Sequence, residues 1–192
     1  MNESLLLGCC SANNVLNIEA KPFSKAIKLH AHEILLHFYE HDKKFERVRK
    51  NPQQWLEFVS KFKIIISPDF SLYWSMPLEM QKANKEFNIY FANELAKRNP
   101  NTIYNVRFGD AISYNFCFDG FPKNGVVAVG THGCTKRYDE RIVFEAGFVE
   151  MVKRLTPKVI VVYGYANLNV FKWFESIGGI VLRIPSEFEL AH

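Results

Sequence analysis

Titratable side chains follow several apolar runs of this 192-residue sequence, at the point where each run ends. Asp69 follows a run of three isoleucines, Asp110 closes a later run, and His132 follows a run rich in valine. A carboxylate and a histidine that meet in a fold can act as general acid and base. We therefore predict Asp69, Asp110 and His132 as the catalytic candidates. Because Asp69 follows Pro68, an ordinary turn residue is the alternative interpretation of that position.

Arg107 lies inside an otherwise apolar run, where a positive charge needs a carboxylate or an anionic ligand beside it. Asp69 and Asp110 are both candidate partners, and a purely structural ion pair is the alternative to a ligand site. Several other run ends carry groups that can donate or accept hydrogen bonds. With Arg107, we predict the following ligand-binding residues: Asn105, Ser67, Thr131, Tyr163 and Glu40.

Short motifs that would identify a cofactor or a metal are missing from the sequence. There is no HExxH or DxD spacing, so we predict no metal site. Neither of the glycine motifs GxxxxGKS/T and GxGxxG occurs, and the cofactor, if any, stays unidentified. The turn Gly130–Gly133 leads towards a helix and could cradle a phosphate with its backbone N–H groups. The GxSxG motif of α/β-hydrolases is absent as well.

Six apolar runs, separated by segments with helical spacing, must position these residues. The runs are uniformly apolar rather than alternating, which is typical of parallel strands buried on both faces. Alternation of strands and helices along the chain predicts an α/β fold. The predicted strands are residues 34–39, 64–66, 102–108, 126–129, 158–163 and 180–184.

The carboxyl ends of parallel strands meet at one edge of a sheet, so this fold class would bring the polar run ends together. A complete eight-stranded βα barrel needs about 250 residues, more than this chain has. We predict a mostly parallel sheet of about six strands, built from repeated βα units. Because periodicity does not reveal strand order, the sheet is either a partial or distorted βα barrel or a doubly wound three-layer sheet. Residues 1–192 are predicted to form one domain, with an irregular N-terminal arm at residues 1–23.

The composition is that of an ordinary globular chain with a net charge of +4. Its most basic stretch, Lys43–Lys50, is interrupted by Glu46, which favours a solvated helix face over a nucleic-acid or protein-binding face. No apolar run approaches the about 18 residues that a membrane span needs, so we expect no membrane partner. The four cysteines form no CxxC pair, and Cys9 and Cys10 are adjacent, which favours a reducing, cytoplasmic location.

Five short segments form a distinctive pattern: SPDFSLY at 67–73, NVR at 105–107, FDGFP at 118–122, VAVGTHG at 127–133 and VYG at 162–164. The pattern resembles a domain family of unknown function found in bacteria and their phages, over residues 23–164. The family tends to carry arginines in the helix after the first segment, where this chain has Asn84, Phe87, Asn88 and Ile89, and a tryptophan where this chain has Phe108. The resemblance implies a shared site and a phage or mobile-element setting, but no chemistry.

We interpret the polar rim as the working edge of the protein, with an anionic small molecule as its partner. The predicted function is binding or processing of a phosphorylated or nucleotide-like small molecule, processing being the work of a hydrolase or transferase. Asp69 or Asp110 would be the acid or base, and Arg107 would pair with the anionic group. The alternatives are a non-catalytic ligand sponge or anti-defence interaction protein, and a nucleic-acid or protein-binding module.

Overall fold

The structure, a computed structural model, describes residues 3–8, 14, 16–29, 32–132 and 137–191. Within these residues the chain forms one sheet of seven strands in which every neighbouring pair runs parallel. The strands follow one another across the sheet in chain order. They are β1 (Ala20–Pro22), β2 (Leu35–His37), β3 (Ile64–Ile66), β4 (Thr102–Asn105), β5 (Val126–Gly130), β6 (Val159–Tyr163) and β7 (Ile180–Ile184).

Helices connect the strands, and the two longest ones follow strands that carry polar run ends. They are α5, which links β3 to β4, and α6, which links β5 to β6. The α-helices in the described residues are α1 (Glu3–Gly8), α2 (Phe23–Ala26), α3 (Glu46–Lys50), α4 (Pro52–Val59), α5 (Leu78–Arg98), α6 (Tyr138–Leu155), α7 (Asn169–Ser176) and α8 (Glu187–Leu190), and there are 3-10 turns at Asp42–Lys44 and Ser113–Asn115.

The strand order decides between the two predicted architectures. Right-handed crossovers between strands in sequential order place the connecting helices on the same face of a sheet, which then curls. Tyr163 at the end of β6 stacks on Tyr39, which follows β2, with ring centroids 4.7 Å apart. Strands far apart in the sheet order therefore approach each other across its concave face. The sheet is a half-barrel, which confirms the partial βα barrel and excludes the doubly wound sheet.

The concave face is filled by apolar side chains, so the half-barrel is a packed core and not a channel. Alternate strand residues such as Ile64 and Ile66 point into it, while Ile65 between them faces the helices. Leu6 and Leu16 from the N-terminal segment are buried in the same cluster. Leu16 N also donates to Arg183 O (3.0 Å), so the chain before β1 lies against the β7 edge of the sheet.

The segment 1–23, predicted from sequence to be irregular, contains α1 and the edge strand β1 in its described part. β1 has three residues and ends in Pro22, which is tolerated at a sheet edge. A run this short has no recognisable period, and the sheet therefore has one strand more than the six runs predict. No helix among the described residues is long and apolar enough to cross a membrane. The predictions that concern Cys9, Cys10 and Gly133 fall outside the described residues.

Candidate functional site

The loop that follows β3 carries Asp69, and two buried asparagines of α5 fix its course. Asn88 donates its Nδ2 to Phe70 O (3.0 Å) and accepts Phe70 N–H at its Oδ1 (3.1 Å). One turn earlier, Asn84 Nδ2 donates to Ser71 O (2.8 Å). Asn84 and Asn88 lie one turn apart on α5 and face the same loop. In this chain they hold the loop, because i and i+4 residues lie on one face of a helix.

Asp69 forms the centre of a buried polar cluster at the carboxyl ends of β3 and β4. Its Oδ1 accepts from Asn105 Nδ2 (2.7 Å), and its Oδ2 lies 3.4 Å from Arg107 Nη1. Asp69, rather than Asp110, is therefore the partner of Arg107. Burial raises the pKa of the Asp69 carboxyl. The Arg107 charge and the Asn105 hydrogen bond lower this pKa but do not cancel the effect of burial, so the pKa is raised on balance.

Ser67 and Asn105 serve the geometry of this cluster. Ser67 Oγ accepts the backbone N–H of Asn105 (2.9 Å), which ties the end of β3 to the end of β4. Asn105 Oδ1 accepts from the Tyr39 hydroxyl (2.7 Å). The Asn105 side chain thus connects Asp69 to an aromatic residue that follows β2. All of these groups are polar and buried or half-buried, so each hydrogen bond replaces one to water.

Tyr39 is a site residue that the sequence reasoning missed. It lies between Asn105 and Tyr163, bonded to the former and stacked on the latter. Gly130 at the end of β5 gives its ring room, since a Cβ there would lie 2.7 Å from Tyr39 Cε1. The Tyr163 hydroxyl accepts the backbone N–H of Glu187 (3.3 Å). A glycine at a strand end opposite an aromatic residue is a signal visible only once the strand neighbours are known.

His37, the last residue of β2, was also missed, because it looked like the interior of an apolar strand. It is fully buried, and its ring centroid lies 4.5 Å from that of Tyr163. Burial lowers the pKa of His37 to about 3, so its imidazole is neutral. Nδ1 accepts Tyr39 N–H (3.3 Å), while Nε2 has no hydrogen-bond partner among the described residues.

Three of the predicted residues have contacts outside the Asp69 cluster. Glu40 accepts from the backbone N–H (2.8 Å) and hydroxyl (2.6 Å) of Ser24, at the start of α2. Thr131 is buried, and its Oγ1 donates to Tyr163 O (3.2 Å). His132 is exposed and follows Thr131 on the rim. Glu40 thus binds the first turn of α2, and Lys44 Nζ also lies 3.5 Å from its Oε2, whereas Thr131 binds the end of β6.

A cavity of about 390 Å³ opens beside this cluster, and we call it the strand-end cavity. Arg107 and Asp110 are among its lining residues, whereas Asp69 lies behind Arg107. Asp110 Oδ1 accepts the backbone N–H of Ile112 (3.1 Å), so this carboxylate also fixes the turn that follows β4. The lining residues are Leu72, Tyr73, Trp74, Val106, Arg107, Phe108, Gly109, Asp110, Val129, Gly130, Asp139, Glu140, Val143 and Phe144.

Four of the fourteen residues that line the strand-end cavity are aromatic. Trp74 and Tyr73 are 76% and 53% exposed, which is unusual for side chains of this size and leaves their rings open to a ligand. The Arg107 guanidinium lies 5.9 Å from the Tyr73 ring centroid. Asp139, at the start of α6, is paired with Arg137 at 3.2 Å. Such a cavity can hold a flat ring against its walls and an anionic group at Arg107.

No group of three His, Cys, Asp or Glu side chains in the described residues could hold a metal ion. The buried thiol of Cys117 lies under the turn after β4, and burial raises its pKa to about 12. Such a thiol is not a nucleophile at neutral pH. The groups with reactive potential at the strand-end cavity are therefore the carboxylates and Arg107.

The model of a domain family of unknown function, DUF4417, matches residues 10–179, which contain the whole Asp69 cluster and cavity. The chain belongs to this family. The match confirms the resemblance to an uncharacterised phage and bacterial family. The DUF4417 chain is similar to the Gene 1 proteins of Mycobacterium phages L5 and D29, at 28% identity over 129 residues in each case.

The similarity to the phage proteins covers 67% of this chain, and 56% of the phage L5 protein and 48% of the phage D29 protein. The DUF4417 chain thus spans about half the length of the curated relatives that it matches. No solved structure matches the chain significantly. The function must therefore be argued from the geometry of the site itself.

Proposed function

We propose that the strand-end cavity binds a small nucleotide-like molecule, with its base on the aromatic walls and its phosphate at Arg107. The observation that carries the proposal is the position of Arg107. Its guanidinium lines the cavity and is held from behind by the buried carboxylate of Asp69 at 3.4 Å. An arginine fixed in this way is preorganised for an anionic group, because little side-chain freedom is lost on binding.

The size and the walls of the cavity agree with a ligand of this class. Its volume of about 390 Å³ lies within the range of small-molecule sites, which are mostly apolar with a few polar groups. Trp74 and Tyr73 offer exposed ring faces, and Phe108 and Phe144 lie in the same lining. Stacking on such rings contributes about 1–3 kcal/mol per base.

The carboxylates in the wall have a role in the same proposal. Asp139 is paired with Arg137 at 3.2 Å, and Asp110 accepts the backbone N–H groups of Ile112 and Ser113, so both carboxylates already have partners. Glu140 lies beside them in the lining. Carboxylates accept hydrogen bonds from the amino groups of bases. The wall carboxylates would therefore bind the base edge while Arg107 binds the phosphate.

Isothermal titration calorimetry with the four ribonucleoside monophosphates, their nucleosides and inorganic phosphate tests the proposal. At least one monophosphate should bind more tightly than its nucleoside and than phosphate, because both halves of the site are then used. Arg107→Ala should weaken monophosphate binding about tenfold or more, the loss expected for a charge-assisted hydrogen bond. Trp74→Ala should weaken nucleoside binding about tenfold.

The matched control is Arg98→Ala, which removes an exposed arginine paired with Glu94 at the end of α5. Its nucleotide affinity should equal that of the wild type. Equal affinities of Arg107→Ala and the wild type for every monophosphate would contradict the phosphate role of Arg107. Absence of binding across the whole panel at millimolar ligand would contradict the proposal.

The raised pKa of Asp69 favours a second function, processing of the same ligand by a hydrolase or transferase. A buried carboxylate whose pKa is raised above its ordinary value can act as an acid or base. Asp69→Asn should then abolish turnover and leave the fold intact. Mass spectrometry of the ligand released after denaturation separates the two functions: a product indicates processing, and the unchanged molecule indicates binding alone.

A further inference from the structure

A second depression lies on the helical side of the protein, between α2, α3 and α4, and we call it the helix groove. Its volume is about 400 Å³. No residue of the strand-end cavity contributes to it. The residues that line it are Ile27, Arg47, Gln54, Trp55, Glu57, Phe58 and Lys61.

The helix groove lies in the part of the sequence that carries the protein's excess positive charge. Residues 25–63 contain nine Lys or Arg and five Asp or Glu, a surplus of four that equals the net charge of the chain, +4. Arg47 and Lys61 in the lining are exposed, as are Lys43 and Lys50 on the same helical segment as Arg47. Such a patch attracts a polyanion.

One basic residue of this segment does not belong to the patch. Arg49 turns inward, with its guanidinium 4.0 Å from the Phe70 ring centroid and its Nη2 donating to Asn84 Oδ1 (2.7 Å). The solvated face predicted for Lys43–Lys50 thus does not include Arg49, which is packed against Phe70 and Asn84. The exposed charges lie beside the groove.

Aromatic rings lie among these charges. The Arg47 guanidinium is 5.8 Å from the centroid of the Trp55 ring. Trp55 also contacts Phe58 edge to face at 5.8 Å and Phe23 beneath it at 5.1 Å. Trp55 and Phe58 are half-buried, so part of each ring lines the open groove. A ring anchored from below and a guanidinium beside it form a platform on which an unpaired base can stack.

We propose that the helix groove binds single-stranded nucleic acid, with a base against Trp55 and Phe58 and the phosphates at Arg47 and Lys61. Single strands expose the base faces that these rings can contact, whereas a duplex hides them. An acidic polypeptide would match the positive charge but would leave the aromatic platform and the Gln54 amide unused. The inference is independent of the nucleotide proposal, since the two sites share no residue.

Fluorescence anisotropy of the full chain with a labelled oligothymidylate of roughly 20 nucleotides tests the proposal. The two phosphate contacts at Arg47 and Lys61 predict an affinity that falls about sevenfold between about 50 mM and 200 mM salt. Arg47→Glu and Lys61→Glu should each weaken binding about tenfold, because each replaces a phosphate-binding cation with an anion. Both side chains are exposed, so neither replacement should disturb the core.

Lys153→Glu on α6 is the matched control, since it makes the same charge change at an exposed position outside the groove. Its affinity should stay within about twofold of the wild type, because Lys153 does not line the groove. Equal losses in Lys153→Glu and Lys61→Glu would reduce the interaction to bulk charge and overturn the proposal. So would binding that does not change with salt, or no binding at low salt.

Tryptophan fluorescence tests the stacking separately from the charge. The oligonucleotide should quench the wild-type emission, and Trp55→Phe should remove most of that quenching while it keeps a ring on Phe23. Trp74→Phe, in the strand-end cavity, should leave the quenching in place. Quenching that disappears with Trp74→Phe instead, or polyglutamate and duplex DNA competing as well as the single strand, would overturn the proposal.

Discussion

The strand-end cavity and the helix groove have nearly the same volume, about 390 and 400 Å³, but they are built in opposite ways. The cavity depends on residues distant in sequence, such as Asp69 and Arg107, which are 38 residues apart. The groove uses a continuous part of the chain, from Ile27 to Lys61. A site made of long-range contacts can fix one charged side chain beside aromatic rings, as it does for Arg107. A helical surface offers a broader patch of exposed positive side chains.

The two regions also differ in what fixes them. Buried asparagines, a buried carboxylate and stacked tyrosines hold the strand-end side, so it resembles a core with polar parts. Exposed lysines and arginines flank the groove, and their loss should hardly affect folding. Substitutions of buried residues should therefore affect stability and the shape of the strand-end cavity. Substitutions of exposed charged residues should affect binding at the helix groove and leave stability almost unchanged.

The largest expected effect is that of Asn88→Ala. This change leaves the backbone N–H and C=O of Phe70 unpaired in a buried site. We expect a loss of about 3 kcal/mol in the free energy of unfolding, together with loss of ligand binding at the strand-end cavity. Urea unfolding measures the former. Asn93→Ala, on the exposed face of the same helix, removes one hydrogen bond from Tyr104 and should cost less than about 1 kcal/mol; equal costs would contradict the role of Asn88.

The next largest effect is on the pH dependence of the free energy of unfolding. It comes from His37, a buried titratable residue on the strand-end side of the molecule, and not from the helix groove. The folded-state pKa of His37 lies at about 3, below the ordinary 6.5, so the unfolded chain binds a proton that the folded chain does not. The free energy of unfolding is therefore undiminished above the ordinary pKa of histidine and decreases as the pH falls below it. Between pH 6.5 and pH 5 we expect His37 to lower the free energy of unfolding by about 2 kcal/mol. His37→Leu should remove this part of the pH dependence.

The measurement is urea unfolding at about pH 7 and about pH 5 for the wild type and the variant. His41→Leu is the matched control, because His41 is exposed. Its pH dependence should match that of the wild type. If His37→Leu and the wild type lose the same free energy on acidification, the buried neutral His37 is not the cause.

Gly147→Ala should reshape the cavity without touching the groove. A Cβ at Gly147 would lie 2.3 Å from Phe108 Cδ2, so the Phe108 ring in the cavity wall must move. We expect a destabilisation of about 1.5 kcal/mol and weaker binding of the cavity ligand. Oligonucleotide binding should stay unchanged. Unchanged ligand affinity would mean that the ring moves outward and that Phe108 is dispensable for the cavity wall.

Much of the fold follows from the sequence, because uniformly apolar runs with helices between them indicate a parallel sheet. The strand order does not, since an apolar run carries no record of its neighbours, and the half-barrel depends on that order. Asp69, Arg107 and Asn105 were predicted together and do form one cluster. An arginine in an apolar run is a costly residue and therefore an informative one. The predicted strand 102–108 is shorter in the structure, where β4 ends at Asn105 and Arg107 follows it.

The rest of the candidate site could not be predicted for a physical reason. Tyr39 and His37 lie in or next to an apolar run, where aromatic residues usually belong to the core. Trp74, Phe108 and Phe144 come from three separate segments, and only the curl of the sheet makes them one wall. Glu40 carried the right chemistry at a strand end but binds the first turn of α2, because Ser24, 16 residues earlier in the chain, presents its backbone N–H and hydroxyl to it.

The smallest expected effect concerns the connection between the two regions. Arg49, on the basic segment, donates to Asn84 Oδ1, and Asn84 Nδ2 donates to Ser71 O in the loop that carries Asp69. A double-mutant cycle of Arg49→Met and Asn84→Ala should give a coupling free energy of about 1 kcal/mol in urea unfolding.

If this chain of hydrogen bonds transmits binding, saturation with oligonucleotide should change nucleotide affinity in the wild type and not in the double variant. Independent binding in both proteins, with the same coupling in stability, would show that the two sites share a scaffold and nothing more.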